Sequence, residues 1–143
     1  MLFEQPKRTI ERVFLHCSAS DSTHQGKALR ALIKKWHVTE RGWSDIAYQY
    51  LIDKKGLLMT GRPLERTPAA QKGHNLKTIA IMVHGLNHFS EDSLDTLHDF
   101  CAQINEAYSG RISFHGHCEV SNKSCPVFNY RALLSLDRFG RMP

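Results

Sequence analysis

Hydrophobic and polar positions along this chain alternate between the period of a strand and the period of a helix. RVFLHC, residues 12–17, is a short apolar run of the kind that fills a buried central strand, and it carries His16 near its end. The polar stretch SASDSTHQGK follows. From Lys27 to about Arg41 the spacing predicts a helix, because Leu29, Leu32, Ile33 and Trp36 fall on one face and Gly42 supplies a stop. IAYQYLID reads as a strand, KKG as a turn and LLMTG as the hairpin partner. RPLERTPAAQKGHN, with two prolines and a glycine, reads as a long loop, and TIAIMVHG as a further buried strand. Ser90 is placed to cap a helix whose first turn holds Glu91 and Asp92 and whose apolar stripe is Leu94, Leu97, Cys101, Ile104 and Tyr108. RISFHG is the last predicted strand, and Asn129 starts a short helix through Leu133, Leu134 and Leu136.

Strands alternating with helices predict an α/β fold: one domain over residues 1–143, with a central mixed β-sheet flanked by about three helices. Hydrophobic residues at 41% and charged residues at 23% fit a folded globular chain rather than a disordered one. No apolar run approaches the roughly 20 residues that span a bilayer, so no membrane insertion is expected. Glu4 and Glu11 interrupt the start of the chain, which lacks the apolar stretch of a secretory signal. The expectation is synthesis in the cytoplasm, with release to any other compartment by a separate route. Lys and Arg outnumber Asp and Glu by 19 to 14, a formal +5, which suits an anionic partner such as nucleic acid, a membrane surface or a cell-wall polymer. Those charges are dispersed and no stripe of basic and aromatic residues exists, so no nucleic-acid partner is expected. The cysteines at 17, 101, 118 and 125 follow no CxxC spacing and read as reduced thiols or ligands. Cys17 and Cys118 each adjoin a histidine of interest, and a bridge between them is the alternative to two free thiols.

HCEVSNKSCP, residues 117–126, concentrates the candidate chemistry. Its imidazole, ammonium and thiol are open to three readings: a metal site, a disulfide or redox site, or an ordinary polar turn. A catalytic zinc site takes three protein ligands from His, Cys and carboxylate and keeps one position open. His117 and Cys125 are far enough apart to loop round one ion, and functional groups in open α/β sheets gather beyond the carboxyl ends of strands. His16 ends one predicted strand and His117 closely follows another. The plainer readings make His16 a hydrogen-bonded structural residue, Cys125 a small buried side chain and Lys123 a solvated loop lysine. His115 shares a strand face with His117 and is the rival ligand. His24, His37, His84, His88 and His98 read as packing or surface residues. Glu119 is the nearest carboxylate, either a base or a support for a ligand.

FLHCSAS, WHVTERGWSDIAYQYLI, GLLMTGR, KGHNLKTIAI and HCEVSNKSCP together resemble the zinc-dependent N-acetylmuramoyl-L-alanine amidases, in order and approximate spacing, over roughly residues 11–131. The likeness is to the short phage lysozymes that are amidases and, more distantly, to animal peptidoglycan recognition proteins. It implies that His16, His117 and Cys125 hold one Zn²⁺ per chain, that Tyr48 and Lys123 are catalytic, and that Arg62, His74 and Asn75 border the substrate groove. It implies hydrolysis of the bond between N-acetylmuramic acid and L-alanine in peptidoglycan, by a monomeric phage or prophage endolysin acting at the cell wall after holin-type release. The alternatives are a muropeptide-recycling amidase and a non-catalytic peptidoglycan-binding module, although members of the latter kind usually lack the cysteine ligand. Many members carry a histidine three residues before the glycine of KGHN; here that place holds Ala70, which bears on substrate preference. Ala80 replaces a usual glycine, a change of one methyl group.

Overall fold

The computed structural model describes residues Met1–Pro143. The first predicted strand forms as β1 (Arg12–Cys17), and the first helix as α1 (Gly26–Lys34). The helix then widens into a π-helical turn, Lys35–Glu40, and chain reversal follows at Gly42, whose φ of +72° is left-handed. That wide turn buries His37, and His37 Nδ1 accepts the backbone N–H of Ala47 at 2.9 Å.

IAYQYLID is a strand only in part: β2 covers Tyr50–Ile52 and pairs with β3 (Leu58–Thr60) as the expected hairpin. Upstream of β2 a side chain takes over a ladder position. The N–H of Gln49 donates to the Ala80 carbonyl at 3.0 Å, while Gln49 Oε1 accepts the Ala80 N–H at 2.9 Å. Residues 46–49 are thereby free of strand geometry, and this irregular stretch carries Tyr48. β4 (Thr78–Val83), α2 (Glu91–Ala107), β5 (Ser113–Gly116) and α3 (Tyr130–Leu133) complete the chain, with a 3₁₀ turn at His117–Glu119.

The five strands make one mixed sheet in the order β3-β2-β4-β1-β5, antiparallel only between β2 and β3. All six residues of β4 are buried, which is what helices on both faces of a parallel sheet require. On one face Val13 and Leu15 of β1, Ile79, Ile81 and Val83 of β4 and Phe114 of β5 pack with Leu97, Phe100, Cys101 and Ile104 of α2. On the other, Leu29 and Ile33 of α1 pack with Ile46, Leu51 and Met82. The buried stripe of α2 sits slightly off the expected one: Ser93 and Phe100 are buried, whereas Leu94 and Tyr108 are only half-buried. Ser90 caps α2 as its sequence predicts, its Oγ accepting the Ser93 N–H at 3.1 Å, and Asn129 caps α3.

Candidate active site

β1 and β5 are adjacent parallel strands, with Leu15 level with Gly116. The residue after each member of that pair is a histidine, so strand register alone delivers His16 and His117 to the same edge. Side chains alternate along β1, and His16 projects opposite Leu15, onto the face shared by Met82 and α1. The rings of His16 and His117 lie 4.6 Å apart between centroids. Cys125 returns to them because its loop closes tightly: the Cys118 N–H donates to the Cys125 carbonyl at 2.7 Å. Gly116 makes room for that return, since a Cβ there would lie 2.5 Å from Tyr130 Cε1 and 2.9 Å from Pro126 Cδ.

One potential ligand atom from each of His16, His117 and Cys125 falls within 4.8 Å of the others, and His16 Nδ1 is 3.9 Å from Cys125 Sγ. Two imidazoles and a thiol converging so closely fit a divalent transition metal with zinc-like preferences. The imidazoles are held in the neutral form that ligation needs. Burial, then the positive charge of His117, pushes His16 down to about 3. His117 is lowered too, by burial and then by Lys123. The hydrogen bond with the neighbouring Cys17 thiol, and then burial, raise Cys125, while the Cys17 N–H donates to its sulfur at 3.2 Å. All four cysteines are free thiols.

These groups line a cleft of about 390 Å³ that also includes Tyr48 and Lys123. The Tyr48 ring is 5.1 Å from that of His16. Burial, followed by Cys125 and Cys17, raises its hydroxyl well above the usual phenol range, so it is an O–H donor at neutral pH. Lys123 is exposed at the rim on the ligand loop. Sequence reasoning passed over Arg41, Trp43 and Lys72 of the same wall. Trp43 lies 4.8 Å from the His37 ring, and the Arg41 guanidinium stacks over it at 5.1 Å. They lie within segments that resemble the amidases but were assigned no role there; the turn after α1 brings Arg41 and Trp43 to the cleft, and the 62–75 loop brings Lys72.

Arg62, His74 and Asn75 stand outside the cleft wall. Arg62 is buried and donates to the carbonyls of Ile46 and Thr67, at 2.8 and 3.2 Å. Asn75 Oδ1 accepts the N–H groups of Ala70 and Gln71 at 3.0 and 2.9 Å, and His74 is half-buried beside it. They shape the 62–75 loop, whose Ala69, Ala70 and Lys72 reach the cleft. His115, the rival ligand, has both ring nitrogens engaged, by Ser113 Oγ at 2.7 Å and Glu119 at 2.9 Å. Glu119 also accepts the Gly116 N–H at 2.9 Å and the Tyr130 hydroxyl. Burial opposes its ionisation, but bonds from Tyr130, His115 and Gly116 outweigh that and hold its carboxyl below the usual range. It braces the ligand loop from behind and is not part of the cleft wall. His84 is fully buried, bonded to Ser18 Oγ at 2.7 Å and donating to the Ser22 carbonyl at 2.8 Å.

A mostly parallel sheet that gathers two histidines and a cysteine at one cleft is the frame of a candidate metal-dependent hydrolase. Residues 6–128 match the family model described as N-acetylmuramoyl-L-alanine amidase, and the chain belongs to that family. It is an enzyme of peptidoglycan amide hydrolysis. The endolysin of Enterobacteria phage T3 is 28% identical over 135 residues, covering 89% of this chain and 87% of the relative. The endolysin of Escherichia phage T7 is 28% identical over 137 residues, covering 90% and 87%. Among solved structures, the amidase LysC from Clostridium intestinale URNW superposes with a TM-score of 0.77 at 21% identity, covering 90% of this chain and 85% of that one. Drosophila PGRP-LB superposes with a TM-score of 0.76 at 23% identity, covering 90% and 83%.

Proposed function

We propose that this chain is a zinc-dependent amidase working as a phage or prophage endolysin, with one ion per chain held by His16, His117 and Cys125. The convergence of those three donors within 4.8 Å carries the reading, and its endolysin relatives in phages T3 and T7 support the biological role. Zinc in such a site supplies Lewis acidity, bringing the pKa of water to about 7 and polarising a carbonyl. In hydrolysis a water oxygen bonds to the lactyl carbonyl carbon, the C–N bond breaks, and the L-alanine nitrogen leaves with a proton. Tyr48 directs its hydroxyl at the oxyanion that develops on the carbonyl oxygen. Lys123, at the rim of the same cleft, donates to that charge and supplies the proton of the departing amine. Arg62, His74 and Asn75 act on substrate indirectly, by holding the loop that presents Ala69, Ala70 and Lys72.

The chain works as a monomer on wall peptidoglycan, reached after holin-type release; no helix is long and apolar enough to cross a membrane itself. The deciding assay digests purified peptidoglycan and identifies the products by mass spectrometry, with and without a strong chelator. A free lactyl group opposite a free L-alanine amine, lost on chelation and restored by Zn²⁺, is expected. Full activity in the chelator would remove the metal from the mechanism. Cys125→Ser is expected to abolish hydrolysis while muropeptide binding survives. Retained hydrolysis in that variant overturns the ligand assignment.

A further inference from the structure

Gln71 belongs to no predicted motif, yet it is 0% exposed and reaches His16, which is 1% exposed. Its Oε1 is 2.8 Å from His16 Nε2, and its Nε2 is 2.8 Å from Thr78 Oγ1. The Thr78 hydroxyl is itself committed, donating to the Asn75 carbonyl at 2.7 Å. A carbonyl only accepts, so the single hydroxyl proton lies on that side and Thr78 Oγ1 faces Gln71 as an acceptor. The amide nitrogen of Gln71 must therefore point at Thr78 and its oxygen at His16. An amide oxygen also only accepts, so His16 Nε2 carries the hydrogen. The lone pair is left on Nδ1, the nitrogen that faces Cys125 at 3.9 Å.

We propose that Gln71 is a positioning residue that locks His16 in the Nε2–H tautomer and aims Nδ1 into the metal site. This rests on the metal reading above. In the other tautomer two lone pairs would face each other at 2.8 Å between fully buried groups, which costs the desolvation of both without a bond. Flipping the amide instead would set its oxygen against the Thr78 lone pair. Asn75 completes the device at both ends: its carbonyl takes the Thr78 proton, and its side chain holds the Ala70 and Gln71 N–H groups. An acceptor on the far nitrogen fixes ring orientation and raises ligand basicity, and loss of such partners typically costs about 10–100-fold in metal affinity. A glutamine gives this support without placing another negative charge beside a thiolate ligand.

The test compares wild type, Gln71→Leu and Gln71→Glu. ¹⁵N NMR of the histidine rings in metal-free protein reads the tautomer, and Co²⁺ affinity is measured by competition with a chelator. Wild-type His16 is expected as the Nε2–H form. Gln71→Leu is expected to lose that preference and to bind Co²⁺ about 10–100-fold more weakly. Gln71→Glu, buried as the neutral acid, keeps a carbonyl acceptor for His16 and an O–H donor for Thr78, and is expected to retain the tautomer and restore affinity to within a few-fold of wild type. An Nδ1–H tautomer in the wild type overturns the inference. So does a Gln71→Leu variant that merely melts earlier with unchanged Co²⁺ affinity, or a Gln71→Glu variant that fails to rescue. Should Gln71→Leu not fold, the wild-type tautomer and the Gln71→Glu affinity still decide. Failure of wild type to bind Co²⁺ would instead strike the metal reading, while the tautomer measurement would still judge Gln71.

Discussion

Tyr48 shows how one side chain acquires a role from its surroundings. Burial first, and the adjacent thiols next, keep its proton in place, so the cleft holds a neutral hydroxyl donor beside His16. Tyr48→Phe deletes that donor with almost no change in volume. The expected result is a kcat lower by about 100-fold with bound metal and KM little altered. A variant with wild-type kcat would show that the hydroxyl does not meet the transition state. At this scale the three proposed ligands, which the fold brings together, and Lys123 were singled out in the sequence, because their residue types and order resemble an amidase. Gln71 was not. A glutamine in a loop with two prolines looks solvated in sequence, and its burial comes from Thr78 and His16, partners 7 and 55 residues away.

Among the elements, β5 and the turn after it set the site's geometry. Gly116 ends the strand where Tyr130 and Pro126 close in, and a methyl group there has no free space. Gly116→Ala is expected to cost about 1–3 kcal/mol by overpacking, with weaker metal binding because His117 is the next residue. Urea unfolding and Co²⁺ competition on the same protein measure both effects; unchanged values would mean that Tyr130 yields freely. The elements themselves were mostly readable from periodicity, including the strand at β1 and the Ser90 cap. The strand expected over IAYQYLID fell short because Gln49 replaces a backbone acceptor with its own side chain, which no periodicity encodes. The end of α1 differed for a similar reason: His37 is drawn inward to accept the Ala47 N–H, and the helix opens into a π turn.

For the molecule as a whole, the buried histidines tie stability to pH. His37 is lowered from 6.5 to about 4, chiefly by burial and then by Arg41 and Arg62. His84 is lowered as well, again mainly by burial. The unfolded chain takes up these protons near pH 6.5, while the folded chain resists them, so the unfolded state binds more protons in that interval. Stability therefore rises with pH between about 4 and 6.5. Metal-free protein is expected to lose stability steadily as pH falls through this window. His37→Gln, which keeps an acceptor for the Ala47 N–H, is expected to flatten the dependence. Denaturant midpoints across the range provide the measurement, and an unchanged slope would remove His37 as its source.

Local patterning determined the α/β class and most of the elements, because hydrophobic period is a property of neighbouring positions, while the candidate ligands were singled out by the resemblance to the amidases. Tertiary structure decided which of nine histidines meet. His16 and His117 converge through the register of two strands, and Cys125 through closure of a loop over a glycine. His115, two residues from a candidate ligand, is turned to Ser113 and Glu119 instead. Such choices depend on distances between residues far apart in the chain, and only the folded sheet brings those residues within reach.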